Sequence, residues 1–508
     1  MDFLVLSPPV CPPSEPPSGA FILASALCGH GRDTGFLDLS LEFYHRYFAQ
    51  STHSPGLHRG LTYLIDTPTY DPMQHRTAAG AIHRALKDYT QRHQGWTLSA
   101  MDLTPPAPVH QPANIAQLLE TDDPFLPLWE SVVAPAIAKH RPLKTLISIA
   151  YLSQLTAGIS LVRFLKKNGV SHVIGGSLLR SLFATGEGFQ FLQPLFEQMD
   201  VSNGCTLLTG MDERRFLSKM AYPRILSAHP YLSGRPILPL TLSTGCYWSG
   251  CLFCPDRDMK YMQVPDTSFE QFMASIPQHI RQKKPVIHLL DSAMPKNRLR
   301  AFMPIAKSFR LGFYGFARPE KRFASRAFMR EMAESGCLML QLGVEGGNDA
   351  LLSRFHKGIH PDDARQVLIE AADAGIRTYV YLLFGLPGET DTEREDTRRL
   401  IADTIDAVDF LNLSIFNLPK HCELNNRADA FNMVVDAYAD TSQTIELYRP
   451  FTVNGINDSP RRLARAFIAN RFSSDERIRQ AVLRTPKWFR AAHLALFRLP
   501  GRNEGRKD

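Results

Sequence analysis

The chain has 508 residues, 44% of them hydrophobic and 21% charged, and a net charge of +7. That length exceeds what one core fills and predicts about two to four soluble globular domains with little disorder outside the termini. No run of about eighteen apolar residues occurs, so no transmembrane helix is expected.

The basic residues that cluster near the C-terminus (Arg461, Arg462, Arg465, Arg471, Arg477 and Arg479) lie among apolar ones. That spacing is the mark of a solvated helix face, and no nucleic-acid partner is expected. The opening Met-Asp-Phe-Leu-Val-Leu-Ser lacks the basic region and cleavage site of a signal peptide and reads as a buried strand. Eight cysteines, five of them scattered at 11, 28, 205, 337 and 422, do not make a disulfide framework, and a reducing cytoplasm is expected.

The first forty residues read as strand (2–7), proline-rich loop, apolar helix (20–28) and strand (34–39), the opening of a parallel α/β sheet. The pattern breaks at 42–141, read as a helical insertion with pieces at 78–91 and 127–138. It resumes with a strand at 145–150, a helix through Lys167 and a strand at 172–174 that ends in Gly175-Gly176. Those glycines allow either close approach of a ligand or a tight strand-to-helix turn. A last strand at 206–209 would complete a five-stranded sheet, and Pro223, Pro230 and Pro236 mark a linker.

From 237 strands and helices alternate again. Strands are expected at 237–244, 286–291, 311–316, 338–344, 377–384 and 409–416, with helices at about 267–282, 296–308, 324–335, 348–356, 361–374 and 391–406. This is the pattern of an incomplete, six-fold TIM-type barrel, whose functional loops follow the strands. The expected division is 1–215, linker 216–236, barrel 237–424 and a helical region 425–508, with Trp488 and Phe489 in an apolar stretch.

Cys246-Tyr-Trp-Ser-Gly-Cys-Leu-Phe-Cys254 follows the first barrel strand. Three thiolates are one short of a closed tetrahedral site or a fully protein-ligated cluster, and a [4Fe–4S] cluster so held leaves one iron open to a small molecule. The alternative is a zinc site, which needs a fourth ligand. The nearest histidines, His229 and His279, lack zinc-finger spacing.

The loop resembles the cluster loop of the radical S-adenosylmethionine (SAM) superfamily, with Phe253 before the last cysteine as that family shows. The family spacing is three residues then two; here it is four then two. Gly343-Val-Glu-Gly-Gly347 resembles the family's Gly-Val-Glu-Ser-Gly segment, whose acidic residue contacts SAM, and Glu345 takes that place. Glu345 is otherwise a helix cap, for which Asn348 is better suited. Phe384-Gly-Leu-Pro-Gly-Glu-Thr390 resembles the family turn near adenine, which places Gly385 beside SAM or makes the motif a structural turn and cap. By position Asp291 is expected at the SAM amino group and Arg318 at its carboxylate.

The N-terminal region resembles the Rossmann-like, cobalamin-binding domain that precedes the barrel in one radical SAM class (class B). The residues that carry this are Ser7, Gly19, Asp38, Ser153, Gln154, Gly175 and Gly176. No Asp-Xaa-His-Xaa-Xaa-Gly supplies a histidine to cobalt, and Asn203-Gly-Cys-Thr-Leu-Leu-Thr-Gly210 lacks the Gly-Glu-Gly-Glu often found there. The resemblance implies a [4Fe–4S] cluster, SAM and cobalamin as cofactors, held by Cys246, Cys251 and Cys254, by Glu345, and by the N-terminal domain. It implies reductive cleavage of SAM to a 5′-deoxyadenosyl radical and methyl transfer to an unactivated carbon. The partners implied are a small-molecule or peptide substrate and an electron donor such as flavodoxin or ferredoxin. A non-methylating cyclase or rearrangement enzyme of the same build, and a zinc-stabilised binding protein, are the alternatives.

Overall fold

The computed structural model describes residues 1–51, 56–67, 70–93, 95–184, 192, 199–200, 202, 204–208, 210–436, 445–456 and 458–485. Asn203, Thr209, Trp488 and Phe489 lie outside the described residues.

Six parallel strands form the first sheet: β1 (Phe3–Ser7), β2 (Thr34–Asp38), β3 (Lys144–Ser148), β4 (His172–Gly175), β5 (Met199–Asp200) and β6 (Arg224–Ile225), in the order β5-β4-β3-β1-β2-β6. The sheet expected with five strands thus has six, and two assignments change. Cys205–Leu207 is a 3-10 turn and not a strand, while Met199–Asp200 pairs with β4. The stretch read as linker supplies β6 beside β2.

Alternation along β1 explains why both faces are covered. Leu4 and Leu6 enter one apolar core and Val5 the other. The first core holds the 42–141 excursion, which begins inside the helix Leu39–Gln50 and continues through Leu57–Asp66, Pro72–Arg92, Pro112–Thr121 and a helical run from Leu126 to His140. Buried Trp129 anchors that run, donating from Nε1 to Ser160 Oγ at 2.7 Å. The second core is shared with the barrel, so Phe36 and Leu146 of the first sheet belong to the same cluster as Leu289 and Phe313 of the second.

The second sheet is also parallel and six-stranded: β7 (Ile237–Leu240), β8 (Val286–Leu289), β9 (Gly312–Ala317), β10 (Cys337–Glu345), β11 (Arg377–Phe384) and β12 (Phe410–Ile415), in the order β12-β11-β10-β9-β8-β7. All six strands lie where the sequence pattern puts them. The helix expected at 267–282 is two, Asp266–Ser275 and Gln278–Gln282, because Pro277 cannot continue the first. Outward residues of the strands are buried under helices, while Tyr314, Met339, Tyr379 and Phe410 close the floor with Tyr70 from the N-terminal excursion. Beyond 425 the expected helices appear at Pro460–Asn470 and Glu476–Arg484, but Met433–Val435 and Phe451–Val453 pair as an antiparallel ribbon that the sequence did not suggest.

Candidate cluster and cofactor site

The Cys246–Cys254 loop leaves β7 and is pinned from three sides. At its start Asp291 accepts the Leu242 N–H at 2.9 Å and the Ser243 hydroxyl at 2.5 Å. Burial pushes the Asp291 carboxyl up to about 6. Both oxygens are thus engaged by the loop, and Asp291 fixes its entry where the sequence suggested a contact to the SAM amino group.

The residues between the first two cysteines form two arms. Tyr247 donates its hydroxyl to Glu320 Oε1 at 2.6 Å and stacks with Arg322 at 5.0 Å. Trp248 donates Nε1 to the His356 carbonyl at 2.9 Å and lies against Gly358. At Gly358, with φ of +66°, a Cβ would sit 1.9 Å from Trp248 Cζ2, so both its conformation and the indole require glycine. Arg318 stands 4.5 Å from the Trp248 ring centroid and donates Nη2 to the carbonyls of Lys357 and Gly358. Its Nη1 is 3.9 Å from Cys251 Sγ. Arg318 therefore serves the cluster loop directly. The far end is held by the Leu252 N–H to the Phe355 carbonyl (3.1 Å) and by the Leu424 N–H to the Leu252 carbonyl (2.8 Å).

All eight cysteines are free thiols; Cys251 is buried, while Cys246 and Cys254 are partly accessible. Burial raises the Cys251 pKa, opposed by the charges of Lys357 and Arg318. Burial and Asp256 push Cys254 up to about 12. Metal binding requires these thiols to lose their protons, and the two cations favour that at Cys251. Among the described residues no three His, Cys, Asp or Glu side chains converge tightly enough to hold a single ion. Three thiols carried on one loop, with Lys357 and Arg318 beside Cys251, have the donor chemistry of an iron–sulfur cluster site.

Glu345 ends β10 after a register shift between Gly343 and Glu345, at φ of +64°. A left-handed non-glycine residue is uncommon and carries backbone strain. Lys357 Nζ holds its Oε1 at 2.9 Å. A Cβ on Gly343 would come within 2.9 Å of that Glu345 oxygen and 3.2 Å of the ammonium, so glycine opens the space for the pair. Asn348, not Glu345, caps the following helix, accepting the Leu351 N–H at 2.9 Å.

The turn after β11 is built for structure. Gly385, at φ of +80°, donates its N–H to Glu389 Oε2 at 2.6 Å. Pro387 and Gly388, the latter at φ of +70°, make the expected type II turn, closed by the Glu389 N–H to the Leu386 carbonyl at 3.0 Å. Thr390 caps the next helix in a capping box with Glu393. A Cβ on Gly385 would point at Pro460 and Ala464 of the C-terminal helix.

The seven N-terminal residues divide into two groups. Gly19, Gly175 and Gly176 line a cavity of about 380 Å³ between the carboxyl ends of β3 and β4 and the segment Thr241, Ser243, Thr244 and Gly245 that leads into Cys246. Side chains at two of these glycines are excluded: a Cβ on Gly176 would lie 2.2 Å from the Ile149 carbonyl, and one on Gly175 2.7 Å from that of Asp200. The other four work inside the sheet. Gln154 accepts the Ala150 and Tyr151 N–H groups and donates to Ser7 Oγ and the Pro8 carbonyl. Ser153 donates to the Val10 carbonyl, and Asp38 caps the helix Leu39–Gln50. Burial pushes the Asp38 carboxyl up to about 7. Ser7, Asp38, Ser153 and Gln154 are outside the cavity wall.

From sequence, neither Trp248 nor Lys357 is assigned a role. The signals available were the aromatic pair after Cys246 and the glycine of His356-Lys-Gly358.

The arrangement is a parallel six-stranded barrel with a three-thiol loop after its first strand. Residues 240–401 match the family described as the radical SAM superfamily. The fold resembles that of OxsB, a cobalamin-dependent SAM radical enzyme, at 12% identity and a TM-score of 0.54, covering 92% of this chain and 66% of that one. TsrM from Kitasatospora setae, a radical SAM methyltransferase solved with cobalamin and a [4Fe-4S] cluster, matches at 14% identity and a TM-score of 0.49, covering 92% of this chain and 85% of that one. No curated protein matches the chain by sequence. No helix among the described residues is long and apolar enough to cross a membrane.

Proposed function

We propose that this radical SAM enzyme cleaves SAM reductively and transfers a methyl group, with cobalamin, to an unactivated carbon of a small-molecule or peptide substrate. When bound, the cluster supplies an open iron for SAM and the electron that yields methionine and a 5′-deoxyadenosyl radical, and cobalamin supplies the methyl group. Cys246, Cys251 and Cys254 would hold the cluster, with Arg318 and Lys357 favouring the Cys251 thiolate. Glu345, fixed by Lys357, presents a carboxylate to the ribose hydroxyls or ammonium of SAM. An electron donor such as flavodoxin or ferredoxin would serve the cluster, in a cytoplasmic setting.

The observation that carries the methyltransferase reading is the glycine-lined cavity, whose opposite wall runs into the cluster loop. A ligand face laid on Gly175 and Gly176 would stand next to Cys246. No histidine lines this cavity, so a corrinoid there would take no imidazole from its described wall. At about 380 Å³ the cavity takes part of a corrinoid and not the whole group with its side chains, and this favours as second reading a radical SAM cyclase or rearrangement enzyme that does not methylate.

Anaerobic reconstitution with iron, sulfide and hydroxocobalamin tests each part. The wild type is expected to form 5′-deoxyadenosine after reduction and Cys251→Ala to form none; undiminished formation by the variant refutes the ligand assignment. Retention of the corrinoid spectrum through gel filtration, with S-adenosylhomocysteine and a methylated product, supports methylation, and loss of the spectrum rejects it. One zinc per chain without iron would establish the zinc-stabilised alternative.

A further inference from the structure

The inner face of the barrel changes character with height. At the floor Tyr314, Met339, Tyr379 and Phe410 are fully buried. Nearer the carboxyl ends His288, Phe316, Tyr381 and Asn412 are partly exposed, while outward neighbours such as Leu289, Val380 and Leu382 are completely buried. Exposure on the inner face of packed strands means that the upper lumen is open. It lies below the rim that carries Arg318 and Glu345.

Two polar side chains face this lumen in a way that barrel packing does not require. His288 Nδ1 is 2.9 Å from Glu15 Oε2, and its ring stacks on Tyr314 with centroids 4.5 Å apart. The Tyr314 hydroxyl donates to the same oxygen at 3.3 Å. Glu15 belongs to the proline-rich loop after β1, so the N-terminal sheet reaches into the barrel to orient this imidazole. With Nδ1–H donating to the carboxylate, the neutral ring carries its lone pair on Nε2, which has no protein partner among the described residues. Gln341 of β10 is 4% exposed. It donates Nε2 to the Tyr381 hydroxyl at 3.2 Å, and its buried Oε1 accepts nothing. An unmet buried acceptor costs roughly 1–3 kcal/mol, and such a group calls for a ligand or another specific explanation.

We infer that, in the upper lumen, Gln341 and His288 select a small molecule that presents N–H or O–H donors. Gln341 Oε1 and His288 Nε2 accept from those donors. Phe316 and Tyr381, in contact with each other at 5.0 Å between centroids, form an aromatic wall beside these acceptors. Glu15 is a positioning residue acting through His288. This inference rests on the radical SAM reading, because it is the cluster at the rim that makes the lumen a reaction chamber.

The test compares phenol with anisole, which has the same ring without the donor, by equilibrium dialysis against the reconstituted full chain. Phenol is expected to bind at least about fivefold more tightly than anisole. Gln341→Met and Glu15→Gln should each reduce that preference at least about threefold. Equal binding of the two probes to the wild type overturns the inference, as does binding of neither, or an unchanged preference in both variants. If Gln341→Met does not fold, Glu15→Gln alone decides, with the unchanged preference as the refuting result. Failure of the wild type to form 5′-deoxyadenosine would refute the radical SAM reading instead and leave the probe selectivity as a separate observation.

Discussion

Replacing Arg318 by methionine keeps the length of the side chain and removes its charge and all its donors. The Lys357 and Gly358 carbonyls lose their partner, the Trp248 ring its cation, and Cys251 Sγ its nearest guanidinium nitrogen. Unmet buried acceptors cost roughly 1–3 kcal/mol and a cation–π contact is worth about 0.5–2 kcal/mol, so a local loss of about 3–5 kcal/mol is expected. These contacts join two loops, and Arg318 is not part of the apolar cores. The loss should therefore loosen the cysteine loop without unfolding the barrel. Iron and sulfide per chain after anaerobic reconstitution should fall severalfold at limiting iron. The potential of the cluster that remains should become more negative by on the order of 60 mV, the one-electron equivalent of about 1.4 kcal/mol lost at a sulfur. If iron content and potential are those of the wild type while SAM binds more weakly, Arg318 meets the SAM carboxylate and the reasoning from its position beside Cys251 is refuted.

Three further outcomes are expected. Gly358→Ala introduces a Cβ where Trp248 stands and a left-handed alanine costing about 1–2 kcal/mol, so cluster content should drop by more than half while the thermal midpoint of the apo-protein moves by only about 2–6 °C. Glu345→Gln leaves the buried Lys357 ammonium without its counter-charge and should weaken SAM binding about tenfold, or about 1.4 kcal/mol, by isothermal titration to the reconstituted enzyme; unchanged affinity removes Glu345 from the SAM site. Glu389 is raised from 4.5 to about 7, chiefly by burial, so its contribution to stability is present below pH 4.5 and is lost as pH rises through about 7. Denaturant titrations of the apo-protein should show Glu389→Gln gaining up to about 3 kcal/mol on the wild type between pH 4.5 and 8, and parallel profiles would refute the shift.

The barrel was legible because parallel strands buried on both faces are written as short apolar runs followed by helices, three of which are capped by Ser325, Asn348 and Thr390. Those signals are local. What the sequence did not disclose depends on contacts between distant segments. Met199–Asp200 and Arg224–Ile225 are strands of two residues each, held by neighbours and not by their own pattern. Ser7, Asp38, Ser153 and Gln154 have polar types that suit a ligand equally well, and only the fold shows their hydrogen bonds turned inward. Glu15 gave no signal in its proline-rich loop, because its partner His288 is 273 residues away.

The four-residue interval between Cys246 and Cys251 can be argued physically from its contacts. Ser249 takes φ of +48° and donates its hydroxyl to the Cys246 carbonyl at 2.5 Å, which folds the extra residue into a local turn. A Cβ on Gly250 would lie 2.5 Å from Trp248 Nε1, so glycine there lets the indole fold back over the loop. The added length thus leaves room for two arms, Tyr247 toward Glu320 and Trp248 toward Arg318 and Gly358. Glu320 is also the partner of Arg322 at 2.7 Å and stands 3.7 Å from Arg318, so the arms meet in one charged group behind Cys251. A loop that binds its own support in this way needs fewer contacts from outside. Deleting Ser249 should restore the shorter spacing and break both arms, and the deletion variant is expected to hold less iron than the wild type in the same reconstitution; equal iron content would show that the spacing is neutral and the arms dispensable.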